Sequence, residues 1–339
     1  MRLLVLDDYE GELARAPSMA QLSQLANVTI WNHPLRPDDL TTLEQYQAIL
    51  ALRERSALDR RFFEHSPNTE IVLQTGGHAY HVDQEAATRN GTIIALGRRV
   101  TRPTAAVPEL VFGMMLELNR HVAALSASMH LGDWPMAMGR TLAGQSLGIL
   151  GYGRLGRVVG GLAEAFGMNV LAWDRREASA LADNSGRRVP LDDLLSQADV
   201  VSIHLRLTDE SRGLLNRHRL RSMKRNAILI NTARGAIVDE EALIEALREG
   251  WIRGAALDVF SQEPLAASSP LRHMPNVLLT PHIGWKTEEV LHEFVKIAAE
   301  QLDDWLNHRL SSKEVLNPRA MSVTRARRGG LKQEAELGP

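Results

Sequence analysis

Residues 145–174, QSLGILGYGRLGRVVGGLAEAFGMNVLAWD, constrain this chain more than any other stretch. Ser146–Leu150 is a short apolar run that reads as a strand. Gly151, Gly153 and Gly156 follow in G-x-G-x-x-G spacing, residues 154–166 carry a helical pattern, and a second apolar run, Asn169–Trp173, ends on Asp174. Strand, glycine turn, helix, strand and acid is the order that a dinucleotide site needs. The first glycine permits the tight turn, the second lets the backbone approach a pyrophosphate, and the third lets helix pack on strand. The helix amino terminus supplies free N–H groups and a partial positive charge for the phosphates. Asp174 comes 18 residues after Gly156, close to the roughly 20 expected of a ribose-binding acid. Such an acid accepts from both ribose hydroxyls and repels a 2′-phosphate, which favours NAD over NADP as cofactor. Arg175 and Arg176 follow directly and would suit the phosphate.

A chain of 339 residues, 44% hydrophobic and 24% charged, suits two globular domains rather than one. Its formal net charge of −2 gives no reason to expect nucleic acid or an anionic membrane as partner. There is no cysteine, so disulfides, thiolate nucleophiles and cysteine-bound metals are excluded and a reducing cytoplasm is the expected setting. No metal site is expected. The opening MRLLVLDDYEG reads as a strand, being too short in apolar residues for a signal peptide. No run approaches the ~18 apolar residues of a membrane span.

Residues 2–100 alternate short apolar runs with helical stretches. Strands are expected at Leu3–Leu6, Val28–Trp31, Ala48–Leu52, Ile71–Gln74 and Thr92–Leu96, with helices near 11–25, 38–45, 59–65 and 83–89. Gly76-Gly77 follows the fourth strand, and N–H groups in a turn there could hold a carboxylate. One long helical pattern runs from Pro103 to about His130. Its face Leu110, Met114, Met115, Leu118 is a packing stripe. The second half repeats the rhythm. Six strands are expected, at Ser146–Leu150, Asn169–Trp173, Val200–Leu205, Ala227–Asn231, Gly254–Val259 and Val277–Thr280. Helices are expected near 154–166, 191–198, 217–225 and 239–250, and a last one near 287–308. The alternation implies α/β architecture, with two Rossmann-like, doubly wound parallel sheets and a cleft between them. The polar stretch 319–339, with Arg325, Arg327 and Arg328, reads as a disordered tail.

Ligands of α/β sheets sit at strand ends, and three ends here carry chemistry. AILINTARG brings Arg234, GAALDVFSQEP brings Asp258 and then Glu263, and VLLTPHIGW brings His282. Each alone would pass as a solvated edge residue. Together they fit one task. Oxidising an alcohol carbon by hydride transfer requires removal of the hydroxyl proton, which histidine can do near neutral pH. A carboxylate fixes the histidine tautomer and favours the imidazolium. An arginine fork orients a substrate carboxylate and polarises the adjacent oxygen.

NTARG at 231–235, LDVFSQEP at 257–264 and TPHIGW at 280–285, with GYGRLG at 151–156, resemble the D-isomer-specific 2-hydroxyacid dehydrogenase family. Its members include phosphoglycerate, glycerate and formate dehydrogenases. The resemblance runs from about residue 45 to Asn317. It implies an NAD-dependent oxidoreductase acting on the CH–OH group of a 2-hydroxy acid, with Arg234, Glu263 and His282 catalytic. It further implies Arg154 and Leu155 against the pyrophosphate, and Thr232, Ala233, Asp258 and Gly284 toward the nicotinamide. Gly76 and Gly77, with Arg234, would bind the substrate. The family pattern makes the substrate domain from residues 1–100 plus 290–318 and the cofactor domain from 101–289, and it implies a homodimer paired through the cofactor domain.

Some features depart from the family's usual wording. Gly76-Gly77-His78, with His81 nearby, is unusual, and RRVTR at 98–102 stands where small polar residues are common. Arg98, Arg99 or Arg102 could meet a second anionic group on the substrate or could form a solvated basic turn. The chain is too short for the regulatory domain of the longer phosphoglycerate dehydrogenases. A non-catalytic NAD(H)-sensing module of the corepressor kind is the alternative function, since fold alone permits it.

Overall fold

Runs of leucine, isoleucine and valine too short to form helices become buried parallel strands in both halves of the chain. The computed structural model describes residues 1–77, 79–96, 103–174 and 187–322. The chain divides into two units, one of Met1–Arg102 with Thr287–Pro339 and one of Pro103–Lys286.

The first unit contains β1 (Arg2–Val5), α1 (Glu12–Arg15), α2 (Met19–Leu25), β2 (Asn27–Ile30), β3 (Ala48–Ala51), α3 (Arg60–Glu64), β4 (Ile71–Gln74), α4 (Gln84–Arg89) and β5 (Ile93–Leu96). The sheet is parallel in the order β2-β1-β3-β4-β5. Ile49, Val72 and Ile94 of the strands meet Phe62, Phe63 and Ala87 of the helices in its core. Asp59 and Asp83 start α3 and α4 by accepting from the Phe62 and Ala86 N–H groups, the standard way to satisfy a first-turn donor. Two expectations change. The helix expected over 11–25 is two helices, because Pro17 disfavours helical backbone at Ala16, whose ψ is 132°. The helix expected at 38–45 is a 3₁₀ helix, Pro37–Gln45.

The second unit contains α5 (Pro103–Arg120), α6 (Val122–His130), β6 (Ser146–Leu150), α7 (Arg154–Ala165), β7 (Asn169–Trp173), β8 (Arg187–Arg188), α8 (Leu191–Gln197), β9 (Val200–Ile203), α9 (Arg217–Ser222), β10 (Ile228–Asn231), α10 (Glu240–Arg248), β11 (Gly254–Leu257) and β12 (Val277–Leu279). Its order is β12-β11-β10-β9-β6-β7-β8, again parallel. The chain therefore reverses direction of growth between β6 and β9, the switch point at which such sheets bind dinucleotides. Among the described residues the sheet has seven strands, not the six expected, since β8 is only two residues long and shows no periodicity. The long helical pattern after Pro103 breaks at His121, which takes left-handed backbone with φ 55°. Leucines of α8, α9 and α10 cover one face of the sheet, and α5 and α7 cover the other.

The chain then returns to the first unit through α11 (Glu288–Leu306). This helix packs on α1, α2 and β4, and Gln301 donates to the Leu96 carbonyl at the end of β5.

Candidate active site

The glycine turn has the shape its spacing implies. Gly151 has φ 97°, and a side chain there would meet the His204 carbonyl at the end of β9. Gly156 is pressed against the Gly151 carbonyl, so any methyl group would collide. Gly153, the residue before α7, faces open space and as glycine has no side chain with which to cap the helix. Arg154 and Leu155 form the first turn of α7. The N–H groups of this first turn and the room beside Gly153 fit a pyrophosphate. Asp174, following β7, accepts from the Tyr152 N–H at 2.8 Å and from Arg188 Nη1 at 3.1 Å.

Arg234, Glu263 and His282 share one chemical environment. His282 Nδ1 lies 2.7 Å from Glu263 Oε2, and the second carboxylate oxygen accepts from the Phe260 N–H at 3.0 Å. Burial alone would raise the Glu263 carboxyl. The His282 and Phe260 hydrogen bonds, with the charges of His282 and Arg234, outweigh it and hold the carboxyl below the usual range. A carboxylate only accepts, so Nδ1 carries the proton and Nε2 is left for substrate. Glu263 and His282 remain 37% and 29% exposed, as a site open to a ligand must be.

The loop carrying Arg234 is shaped by Asn231, whose amide donates to the Arg234 carbonyl and whose oxygen accepts from the Ala233 N–H. Gly235 permits a backbone approach to Phe260 that no side chain would allow. The Thr232 hydroxyl is buried with no hydrogen-bond partner among the described residues, an acceptor and donor left for a ligand at this strand end. His282 has φ 54°. Asp258, 1% exposed, grips both sides of it, accepting from Thr280 Oγ1 at 2.6 Å, Ile283 N–H at 2.7 Å and Gly284 N–H at 2.8 Å. Burial pushes the Asp258 carboxyl up, against these hydrogen bonds and the charge of His282.

Gly76 and Gly77 belong to the first unit. Gly76 has φ 84° and lies under the Arg53 guanidinium, while Gly77 faces open space. Both ring nitrogens of His81 are buried without a hydrogen-bond partner among the described residues. His78, Arg98, Arg99, Arg102, Arg175, Arg176 and the arginines of the tail lie outside the described residues. The spacing of motifs did not reveal Asn231, Gly235 or Arg188. The first two stand inside NTARG and were legible as turn formers. Arg188 carried no signal. Among the described residues no group of three or more histidine and acidic side chains could hold a metal, and no helix is long and apolar enough to cross a membrane.

Residues 112–284 match the family model described as D-isomer specific 2-hydroxyacid dehydrogenase, NAD binding domain. A glyoxylate reductase from Aeropyrum pernix is 38% identical over 293 residues, covering 83% of this chain and 87% of that one. A glycerate dehydrogenase from Methylorubrum extorquens is 39% identical over 248 residues, covering 70% and 75%. The crystal structure of a phosphoglycerate oxidoreductase from Vibrio cholerae superposes with a TM-score of 0.82 at 30% identity, covering 91% and 99%. The cofactor is thus NAD(H), and the reaction class is oxidoreduction at a CH–OH carbon. The chain belongs to the D-isomer specific 2-hydroxyacid dehydrogenase family.

Proposed function

We propose that His282 is the acid and base of this enzyme's reaction, that Glu263 is its partner, and that Arg234 anchors the substrate. The 2.7 Å contact between His282 Nδ1 and Glu263 Oε2 carries this reading. In oxidation Nε2 takes the proton of the C2 hydroxyl, and in reduction it returns one to the C2 oxygen. Glu263 keeps the ring turned and favours the imidazolium formed on proton uptake. Arg234 gives one N–H to the Ala233 carbonyl and keeps the rest of its fork for the substrate carboxylate and C2 oxygen. When bound, NAD(H) supplies the hydride acceptor or donor. Gly151, Gly153, Arg154, Leu155 and Gly156 would hold its pyrophosphate, Asp174 its adenosine ribose, and Thr232, Ala233, Asp258 and Gly284 its nicotinamide end.

In this reading residues 1–100 with 290–318 form the substrate domain, and Gly76 and Gly77 offer N–H groups to the substrate carboxylate. Glyoxylate, hydroxypyruvate and phosphohydroxypyruvate are the substrates to try first, from the names of the relatives. The protein is a homodimer. Its pairing surface is the segment of α6 and the residues after it, where Leu131, Trp134, Met136 and Met138 are each 80% or more exposed, an apolar surface of the kind that marks an interface.

A panel of 2-oxo acids with NADH tests the function. His282→Ala should bind NADH as the native protein does while turnover falls by about 10²- to 10⁴-fold, the usual share of acid–base catalysis. Unchanged turnover would remove His282 from the chemistry. Failure to reduce any acid, with NADH binding intact, would favour the NAD(H)-sensing alternative.

A further inference from the structure

The expected preference for NAD rests on the position and negative charge of Asp174. The structure places a cation on it. β8 runs parallel to β7, with Leu171 opposite Arg187 and Ala172 opposite Arg188. Side chains alternate along a strand, so Ala172 and Asp174 share a face, and Arg188 shares it with them. Arg188 Nη1 accordingly donates to Asp174 Oδ2 at 3.1 Å, and its guanidinium stands over the ring of Tyr152 in the glycine turn. Arg187 points to the other face and donates to Gln197 of α8.

Asp174 is therefore already engaged on both oxygens, Oδ1 by the Tyr152 N–H and Oδ2 by Arg188. The side chains are 40% and 27% exposed, so water competes for the pair and it opens at little cost. Arg188 spends one donor on it and has a planar fork of others, suited to phosphate. Where a ribose diol binds, Arg188 yields Oδ2 to the hydroxyls. Where a 2′-phosphate binds, the guanidinium offsets the acid and takes the phosphate oxygens.

We propose that Arg188 is a second reader of the adenosine ribose and that it makes this site accept NADP(H) alongside NAD(H). The inference rests on the reading of Asp174 as the ribose acid. It is tested by direct binding of NADH and NADPH to the full-length protein, by calorimetry or by energy transfer from its six tryptophans. The native protein should bind NADPH within about tenfold of NADH. Arg188→Leu should weaken NADPH by at least about tenfold, the scale of a lost charge-assisted contact, and leave NADH nearly unchanged. Arg187→Leu, on the opposite face, should alter neither. Added salt should weaken NADPH more than NADH. A native preference for NADH beyond tenfold, or equal effects of Arg188→Leu on both cofactors, overturns the proposal. Asp174→Ala examines the underlying reading separately, since it must weaken NADH. If it does not, Asp174 is not the ribose acid and the proposal falls with it.

Discussion

At His282 a non-glycine residue holds left-handed backbone, a conformation that costs roughly 1–2 kcal/mol. Asp258 offsets it through three hydrogen bonds to residues on both sides of the turn, so the imidazole is aimed by a buried acid as well as by Glu263. That a strand-end histidine and a nearby acid form a pair was legible in the sequence. The clamp was not, since its partners reach across from a neighbouring strand and no periodicity reports that. Glu263 carries a prediction about pH. Its carboxyl is held low in the folded protein, so its contribution to stability is present above the ordinary glutamate value of about 4.3 and is lost as pH falls through the lower folded value. Melting temperatures of the native protein and Glu263→Gln should differ at neutral pH and converge in acid.

Among the elements, the glycine turn and its flanking strands form where the spacing said, because short apolar runs and G-x-G-x-x-G leave little choice of backbone. Elsewhere the chain departs from its pattern for two different reasons. The split of 11–25 was legible, since Pro17 stands in its middle. The break at His121 was not, because histidine gives no local sign that it will take positive φ. β8 escaped because two residues cannot show alternation. The approach of the Arg234 loop to the loop after β11 depends on Gly235, whose missing side chain leaves room for the Phe260 carbonyl and the Ser261 nitrogen. Backbone cannot swing aside as a side chain can. Gly235→Ala should cost about 1–3 kcal/mol of stability, as overpacking does, and should lower kcat/KM by displacing Arg234. Native-like melting and kinetics together would show that the two loops have slack.

For the whole molecule, the parallel α/β character of both sheets was legible from alternation alone. Nothing in the amphipathic pattern of 287–308 says which sheet the last helix covers. Pairing of two copies makes a clear expectation at this scale. Trp134→Asp with Met136→Asp should convert a dimer to monomers in light scattering while NADH binding remains. A native protein that is monomeric at micromolar concentration would remove the dimer from the proposal. The path of the chain has one more consequence, for synthesis. Pro103–Lys286 is contiguous, so all of its elements are made in one uninterrupted stretch. The first unit emerges earlier yet lacks α11 until Leu306 is made, with the surfaces of α1, α2 and β4 that α11 covers still bare. At 5–20 residues per second that exposure lasts on the order of ten to forty seconds. The half of the protein translated first is thus the half completed last.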